Sequence, residues 1–199
     1  MRIISGKYKG HPLVDFKADH IRPTTDRVKE TLFNKMMFHL EGARVVDLFS
    51  GTGNLGLESL SRGAREVIFV EKHPKSLDIL RQNLNKLKVP VTDYRIVNMD
   101  VLAYLKNYQG EPFDIIFADP PFTEKMAHAV MEHASKSTAF GPETLMAIES
   151  ERRERMEDLY GDLERYDHRE FGDKVLSFFL KKQDKDHGSE DVTTGLGEV

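Results

Sequence analysis

Cysteine is absent from the 199 residues, and so is any long apolar run. Without cysteine the chain forms no disulfide, no thiolate metal site and no cysteine nucleophile. No stretch approaches the roughly 18 consecutive apolar residues of a membrane span, and the start MRIISGKYKGHPL lacks the apolar core of a signal peptide. We therefore expect a cytoplasmic protein that has no membrane partner.

An overall excess of basic charge is also lacking, since the formal net charge is −4. The distribution is uneven, because residues 1–35 hold eight Lys or Arg against four acids, a local charge of +4. A basic segment on an acidic body could contact phosphate, and Lys7, Lys9 and Lys17 are candidate contacts. An ordinary solvated surface explains the same charges, so both interpretations stay open.

Strand-length apolar runs alternate with amphipathic segments of helix length after Gly42. This alternation predicts an α/β fold with a parallel sheet and helices on both faces. Before it, the spacing of Val28, Leu32, Met36 and Leu40 predicts an amphipathic helix. The predicted strands are RVVDLF (44–49), EVIFVE (66–71), DYRIV (93–97), FDIIFA (113–118) and TLMAIE (144–149).

Two further strands, LERYDHRE and KVLSFFLK (174–181), have no clear helix between them. They predict an antiparallel hairpin at one edge of the sheet. The length and a hydrophobic content of 39% predict one domain with a small appendage. We expect an N-terminal extension with a hairpin and a helix over 1–41, a main domain over 42–182 and a disordered polar tail over 183–199.

Gly51, Gly53 and Gly56 form a G-x-G-x-x-G pattern between the first parallel strand and the next helix. Glycine permits a tight turn and the close approach of a ligand, and a helix N-terminus offers unpaired N–H groups. A tight turn without a ligand explains the pattern alone. However, Glu71 ends the next strand, where an acid accepts hydrogen bonds from ribose hydroxyls. Loop and acid together indicate an adenosine-containing cofactor.

Asp47 helps to choose among adenosine cofactors. An acid at this strand end repels a pyrophosphate but attracts an ammonium group, so D-L-F-S-G-T-G favours S-adenosylmethionine over a nicotinamide dinucleotide. A buried acid that caps its own loop is the alternative interpretation. Asp100 also has two interpretations, which are compatible: an N-cap of the following helix, or a contact to the adenine amino group with Val101 near the ring.

The fourth strand ends in FADPPF (117–122). Pro120 and Pro121 each fix φ at about −65° and supply no N–H donor, so the strand ends in a rigid turn. Because ligands of open α/β sheets lie at the carboxyl ends of the strands, Asp119 is predicted to face the same crevice as the glycine loop. Its carboxylate and the Pro120 carbonyl would accept hydrogen bonds from an exocyclic amine, while Phe122 stacks on the base.

D-P-P-F is similar to the (D/N/S)-P-P-(Y/F/W) motif of methyltransferases that act on exocyclic nitrogen. With R-P-T-T-D-R-V-K-E-T-L-F-N (22–34) and V-V-D-L-F-S-G-T-G-N-L-G-L-E-S-L (45–60), the chain resembles the bacterial 16S ribosomal RNA guanine-N2 methyltransferase family up to residue 182. Phe171-Gly172-Asp173 also fits the family. The resemblance implies a Rossmann-like class I fold with a seven-stranded, mostly parallel sheet and one antiparallel edge strand.

The resemblance also implies the partners and further site residues. The expected substrate is 16S ribosomal RNA within a 30S subunit or an assembly intermediate, and the expected enzyme is a monomer that uses S-adenosylmethionine. Cofactor contacts are expected at Arg22, Thr24, Ser50 and Lys72, in addition to Asp119 and the residues already described. RNA contacts are expected at Lys7, Lys9, Arg22 and Arg27.

For the R-P-T-x-x-R segment, a helix cap with surface charges is the alternative to a cofactor lid that contacts RNA. No metal site is expected, because His128 and His133 are five residues apart and do not share a helix face. Methylation of adenine N6 in RNA or DNA stays open, although the length leaves no room for a separate DNA-recognition domain. A non-catalytic RNA-binding ribosome assembly factor is the alternative of another class, and the four strand-end acids argue against it.

Overall fold

The computed structural model describes residues 1–15, 26–122 and 125–182. Across these residues one sheet of eight strands runs in the order β3-β2-β1-β4-β5-β8-β7-β6. The strands are β1 Arg44–Leu48, β2 Glu66–Glu71, β3 Tyr94–Asn98, β4 Phe113–Ala118, β5 Phe140–Glu151, β6 Leu159–Tyr160, β7 Leu163–Phe171 and β8 Lys174–Lys181. The helices are α1 Asp26–Met36, α2 Asn54–Ser61, α3 Pro74–Lys86, α4 Val101–Asn107 and α5 Met126–Ala134.

Strands β1 to β5 are parallel, which confirms the α/β fold. Alternate residues of each strand face opposite sides, so both faces are apolar. Val45 joins a core cluster with α1, α2 and α3, whereas Val46 joins a second cluster with α4 and α5. None of the helices in the described part of the chain is long and apolar enough to cross a membrane.

One expectation about the sheet, the number of strands, is wrong in detail. The described sheet has eight strands rather than seven, because the two-residue β6 pairs with the start of β7. The expected antiparallel hairpin at one edge is confirmed: β7 and β8 pair antiparallel, β8 joins β5, and the short β6 is the outermost strand. Burial explains why β8 lies inside β7, since Phe178 and Phe179 of β8 are completely buried, whereas Leu163 is the one buried residue of the largely polar β7.

The first fifteen residues form a loop closed by a single bridge between Arg2 and Pro12. Ile3, Tyr8 and Leu13 are buried in the core cluster on the α1–α2–α3 face. Helix α1 carries the predicted buried stripe of Val28, Leu32 and Met36, as the sequence spacing indicates. The division into an N-terminal extension over 1–41 and a main domain over 42–182 stays a prediction. The tail over 183–199 lies outside the described residues.

Candidate active site

The glycine loop connects β1 to α2 at the carboxyl edge of the sheet. Gly53 has φ of +91°, and an added Cβ would lie 2.5 Å from Leu80 Cδ1, so only glycine fits. A Cβ on Gly56 would lie 2.2 Å from Phe69 Cε1, because α2 packs directly on β2 there. Gly51, with φ of +54°, has open space, since a Cβ would meet nothing closer than 3.9 Å. The loop is therefore tightly packed on its inner side and accessible at Gly51.

Ser50 lies at the inner end of this loop and is 6% exposed. Its Oγ is buried and has no hydrogen-bond partner among the described residues. A buried hydroxyl without a partner costs free energy, and such a group in a cleft is commonly satisfied by a ligand or by water. Ser50 therefore supplies a polar atom that a bound molecule could satisfy.

Glu71 ties the glycine loop to the start of α3. One carboxylate oxygen accepts a hydrogen bond from Gly51 N at 2.9 Å, and the other accepts from Lys72 N at 2.8 Å and His73 N at 2.7 Å. A carboxylate has about four acceptor sites, so three backbone bonds leave one for a hydroxyl donor. Glu71 can thus hold the loop and still accept one bond from a ligand.

Asp47 is 2% exposed near the end of β1. Its Oδ2 accepts a hydrogen bond from Gly56 N at 2.8 Å, so the interpretation as an acid that fixes its own loop is confirmed. Burial raises the pKa of Asp47 to about 7, against the lowering effect of the Gly56 N–H, and the negative charges of Asp119 and Glu71 add to the rise. A cation beside this carboxyl would favour its ionised form.

Asp100 caps α4, which confirms the N-cap interpretation. Its Oδ1 accepts from Leu102 N at 3.0 Å and Ala103 N at 3.3 Å, and its Oδ2 accepts from Lys72 Nζ at 2.9 Å. The hydrogen bond from Lys72 is the main cause of the lowered pKa of Asp100. Val101, the next residue, is 3% exposed. The contact of these residues with an adenine stays a prediction.

The D-P-P-F turn lies next to the glycine loop. Leu48 of β1 and Ala118 of β4 are register partners, and Asp119 N donates to Leu48 O at 3.5 Å. The strand order reverses at this pair of strands, where open α/β sheets bind ligands. Pro120 is buried, whereas Phe122 is 43% exposed and available for stacking. The structure therefore brings Asp119, Asp47 and the loop glycines to one crevice.

Two residues that the sequence did not single out complete this crevice. Glu149 near the end of β5 is 4% exposed, and its carboxyl group forms a hydrogen bond with Asp119. Lys174 at the start of β8 donates to Glu149 Oε1 and places its Nζ 4.9 Å from the Phe122 ring centroid. The sequence signal for Glu149 was its position as an acid at the end of the predicted strand TLMAIE. No local pattern indicated that this acid pairs with Asp119.

The remaining expected site residues are Arg22, Thr24, Lys7, Lys9 and Arg27. Arg22 and Thr24 lie outside the described residues. Lys7 N donates to Ser61 O at 2.7 Å, at the end of α2 opposite the glycine loop, so Lys7 and the nearby Lys9 are not in the crevice. Arg27 is exposed in the first turn of α1. Within the described ranges, no three side chains form a group that could hold a metal ion.

The reversal of strand order, the glycine loop after β1 and the acids at the strand ends define a Rossmann-like class I methyltransferase. The family model described as "Conserved hypothetical protein 95" matches residues 1–180, and the chain belongs to that family. This match confirms the family resemblance inferred from the three motifs.

Curated relatives support the same assignment. The chain is 37% identical over 153 residues to "Ribosomal RNA small subunit methyltransferase D" of Haemophilus influenzae, which covers 76% of this chain and 79% of the relative. It is 36% identical over 151 residues to the protein of the same name from Escherichia coli K12, with 76% and 75% covered.

Solved structures share the fold. The structure described as "Putative methyltransferase yhhF from Escherichia coli" superposes with a TM-score of 0.81 at 31% identity, covering 92% of this chain and 98% of that one. A "putative methylase" from Haemophilus influenzae gives a TM-score of 0.78 at 30% identity, with the same coverage. The class I methyltransferase fold expected from the sequence is therefore confirmed.

Proposed function

We propose that the protein transfers a methyl group from S-adenosylmethionine to the exocyclic N2 of a guanine in 16S ribosomal RNA. The observation that carries the proposal is the position of the Asp119-Pro-Pro-Phe turn beside the glycine loop, where β1 and β4 pair. A cofactor loop and a set of acceptors for an amine thus share one crevice. The small-subunit RNA comes from the names of the curated relatives, and the guanine from the family resemblance.

The residues of the loop fit S-adenosylmethionine. Asp47 would bind the ammonium group. The Oγ of Ser50, which has no partner within the described ranges, and the space at Gly51 suit a polar ligand close to the backbone. Glu71 has an acceptor site left for a ribose hydroxyl, while Asp100 and Val101 would contact the adenine. Arg22 and Thr24 are proposed to cover this cofactor. When bound, the cofactor supplies an electrophilic methyl group on a sulfonium.

The chain contributes positioning and electrostatics on the substrate side. The Asp119 carboxylate and the Pro120 carbonyl would accept the two N–H groups of guanine N2 and hold the nitrogen in one orientation. The charge of the carboxylate and the dipole of the carbonyl would also stabilise positive charge that develops on the nitrogen. The exposed ring of Phe122 would stack on the base. No covalent nucleophile is required, and the proton that N2 loses on methylation would pass to the Asp119 carboxylate or to water.

We propose a 30S subunit or an assembly intermediate as the substrate and a monomer as the active form. Arg27 and the exposed Lys7 and Lys9 are the proposed RNA contacts within the described residues. Lys7 and Lys9 lie at the far end of α2, which at 1.5 Å per residue is about 12 Å from the crevice. They would therefore bind phosphates next to the target nucleotide rather than the target itself.

The test is to identify the methylated nucleoside. The protein is incubated with labelled S-adenosylmethionine and with 30S subunits, free 16S RNA or DNA, and the nucleic acid is digested and separated. We expect N2-methylguanosine from small-subunit RNA. N6-methyladenosine would overturn the guanine assignment, and the absence of both product and calorimetric S-adenosylmethionine binding would favour the non-catalytic assembly factor.

A further inference from the structure

Glu149 and Asp119 are neighbours because of strand register. Ala118 of β4 is the register partner of Ile148 of β5, and each acid is the next residue along its parallel strand. Side chains at equivalent positions of adjacent parallel strands point to the same face. The hydrogen bond between the two carboxyl groups is therefore built into the sheet, and it does not depend on a flexible surface contact.

A hydrogen bond between two carboxyl groups requires a proton, since two carboxylates offer only acceptors. Burial raises the pKa of Glu149 to about 7, and the charge of Asp119 and its hydrogen bond add to the rise, against the lowering effect of Lys174. The charged groups around this pair are Lys174 on β8 and Asp47 on β1, which interacts electrostatically with Asp119. At neutral pH a proton is therefore available to be shared between Glu149 and Asp119.

Lys174 connects the same pair to the aromatic ring of the turn. Its ammonium group donates to Glu149 and lies over Phe122, 4.9 Å from the ring centroid. A cation at this distance from an aromatic face is attracted to it. One end of the D-P-P-F turn is thus held through Asp119 by Glu149, and the other end through Phe122 by Lys174.

We propose that Glu149 is a positioning residue, which donates its carboxyl proton in a hydrogen bond to Asp119 and so fixes the Asp119 carboxylate towards the substrate amine. The proposal rests on the proposed function, because it assigns to Asp119 the role of amine acceptor. Lys174 holds Glu149 from the other side and keeps the Phe122 ring in place. Glu149 itself does not touch the substrate, and the proton stays between the two acids.

Two variants separate positioning from packing. Glu149→Gln keeps an N–H donor for Asp119 and a carbonyl acceptor for Lys174, whereas Glu149→Ala removes both. We expect kcat on 30S subunits at pH 7 to fall by about 10–100-fold in Glu149→Ala and by less than about threefold in Glu149→Gln. Circular dichroism confirms that both variants are folded. Equal kcat in Glu149→Ala and wild type, or equal loss in both variants, would overturn the proposal.

The pH profile gives a second readout. Because Glu149 donates only when protonated, wild-type kcat should fall as the pH rises through about 7, while the profile of Glu149→Gln lacks this step. A merely structural glutamate would not produce this difference. The same alkaline step in wild type and Glu149→Gln would contradict the shared proton.

A carboxyl titration in the free protein tests the pair without RNA or cofactor. With ¹³C-labelled carboxyl groups, we expect one resonance, absent in Glu149→Gln, that titrates near pH 7 and moves to lower pH in Asp119→Asn. Asp47 also titrates near pH 7 and is assigned with Asp47→Asn. A Glu149 resonance that does not move in Asp119→Asn would overturn the proposal even if methyl transfer is confirmed. If the titration agrees and no methylation occurs, the proposed function fails instead.

Discussion

Asp47 and Glu149 are single residues that each place a buried carboxyl group of raised pKa beside the crevice. The D-L-F-S-G-T-G motif identified Asp47, because the glycine loop that Asp47 fixes follows within ten residues of sequence. Glu149 was not identified, because its contact with Asp119 depends on the register of β4 with β5, which no local spacing reveals. Residues that belong to a motif of known spacing were thus predictable, whereas a pairing that depends on strand register was not.

The raised pKa of Asp47 predicts a pH-dependent stability. Between about pH 4 and pH 7 the unfolded chain releases this proton while the folded chain keeps it, so the free energy of unfolding falls as the pH rises. Asp47→Asn keeps an acceptor for Gly56 N but does not titrate. The free energy of unfolding of Asp47→Asn should therefore fall less steeply with pH than that of wild type. The two slopes should differ by up to about 1.4 kcal/mol per pH unit.

Urea denaturation of wild type and Asp47→Asn at several pH values between 4 and 8 measures this difference. Lys75→Gln, a change of an exposed residue on α3, serves as the control and should follow the wild-type slope. Identical slopes for wild type and Asp47→Asn would show that Asp47 titrates normally in the folded protein.

Among the elements, α1 is joined to α2 by a buried ion pair. Lys29 is 1% exposed, and its Nζ lies 2.9 Å from Glu58 Oε2, 2.8 Å from Asn54 Oδ1 and 3.0 Å from Arg2 O. Burial lowers the pKa of Lys29, although the charge of Glu58 opposes this shift. Since Asn54 begins α2 directly after the glycine loop, the pair connects α1 to the end of that loop.

Lys29→Met should destabilise the protein by about 3–5 kcal/mol, because Glu58 would stay buried without this partner. The remaining partners of Glu58 are Arg62 at 2.7 Å, Ile4 N at 2.8 Å and Ser5 N at 3.0 Å, and they would compensate only in part. The exposed pair of Arg81 and Asp78 is the matched control, and Arg81→Met should cost less than about 1 kcal/mol. Chemical denaturation checks both values, and equal losses in the two variants would refute this account of the ion pair.

The alternation of strands and helices could be predicted because each element carries its own hydrophobic period. The order of the last strands could not be predicted in full. Strand β6 has only two residues and no detectable period, and the inner position of β8 follows from its pairing with β5. The apolar run KVLSFFLK, buried on both faces, was the sequence signal for an inner strand.

For the whole molecule, the net charge and the charge distribution give opposite expectations about RNA binding. The chain is acidic at −4, while residues 1–35 carry a local charge of +4. Lys7 and Lys9 are exposed on the side of the sheet that carries α1 to α3. If RNA binds there, its phosphates will make the affinity depend on salt even though the protein is acidic overall.

The double variant Lys7→Gln/Lys9→Gln should bind 30S subunits more weakly and with a smaller dependence on salt. The slope of log K against log salt should decrease by about 0.7 for each phosphate that a lysine no longer neutralises. Lys106→Gln/Lys136→Gln is the control, since both lysines are exposed beside α4 and α5 on the other face. The affinity for 30S subunits is measured at several salt concentrations for wild type and both double variants. An equal slope in these three proteins would exclude Lys7 and Lys9 as phosphate ligands.

Comparison of wild type with Asp119→Ala in methylation of 30S subunits, with the modified nucleoside mapped by mass spectrometry, tests the central claim most directly. The claim is that the crevice between the D-P-P-F turn and the glycine loop is the site of methyl transfer. Wild type should add one methyl group to guanine N2 in 16S RNA, and Asp119→Ala should lose at least about 100-fold in kcat. Calorimetry should show that the folded variant still binds S-adenosylmethionine, with an affinity reduced only by the loss of the expected Asp119 contact. Full activity in Asp119→Ala would contradict the account of the site.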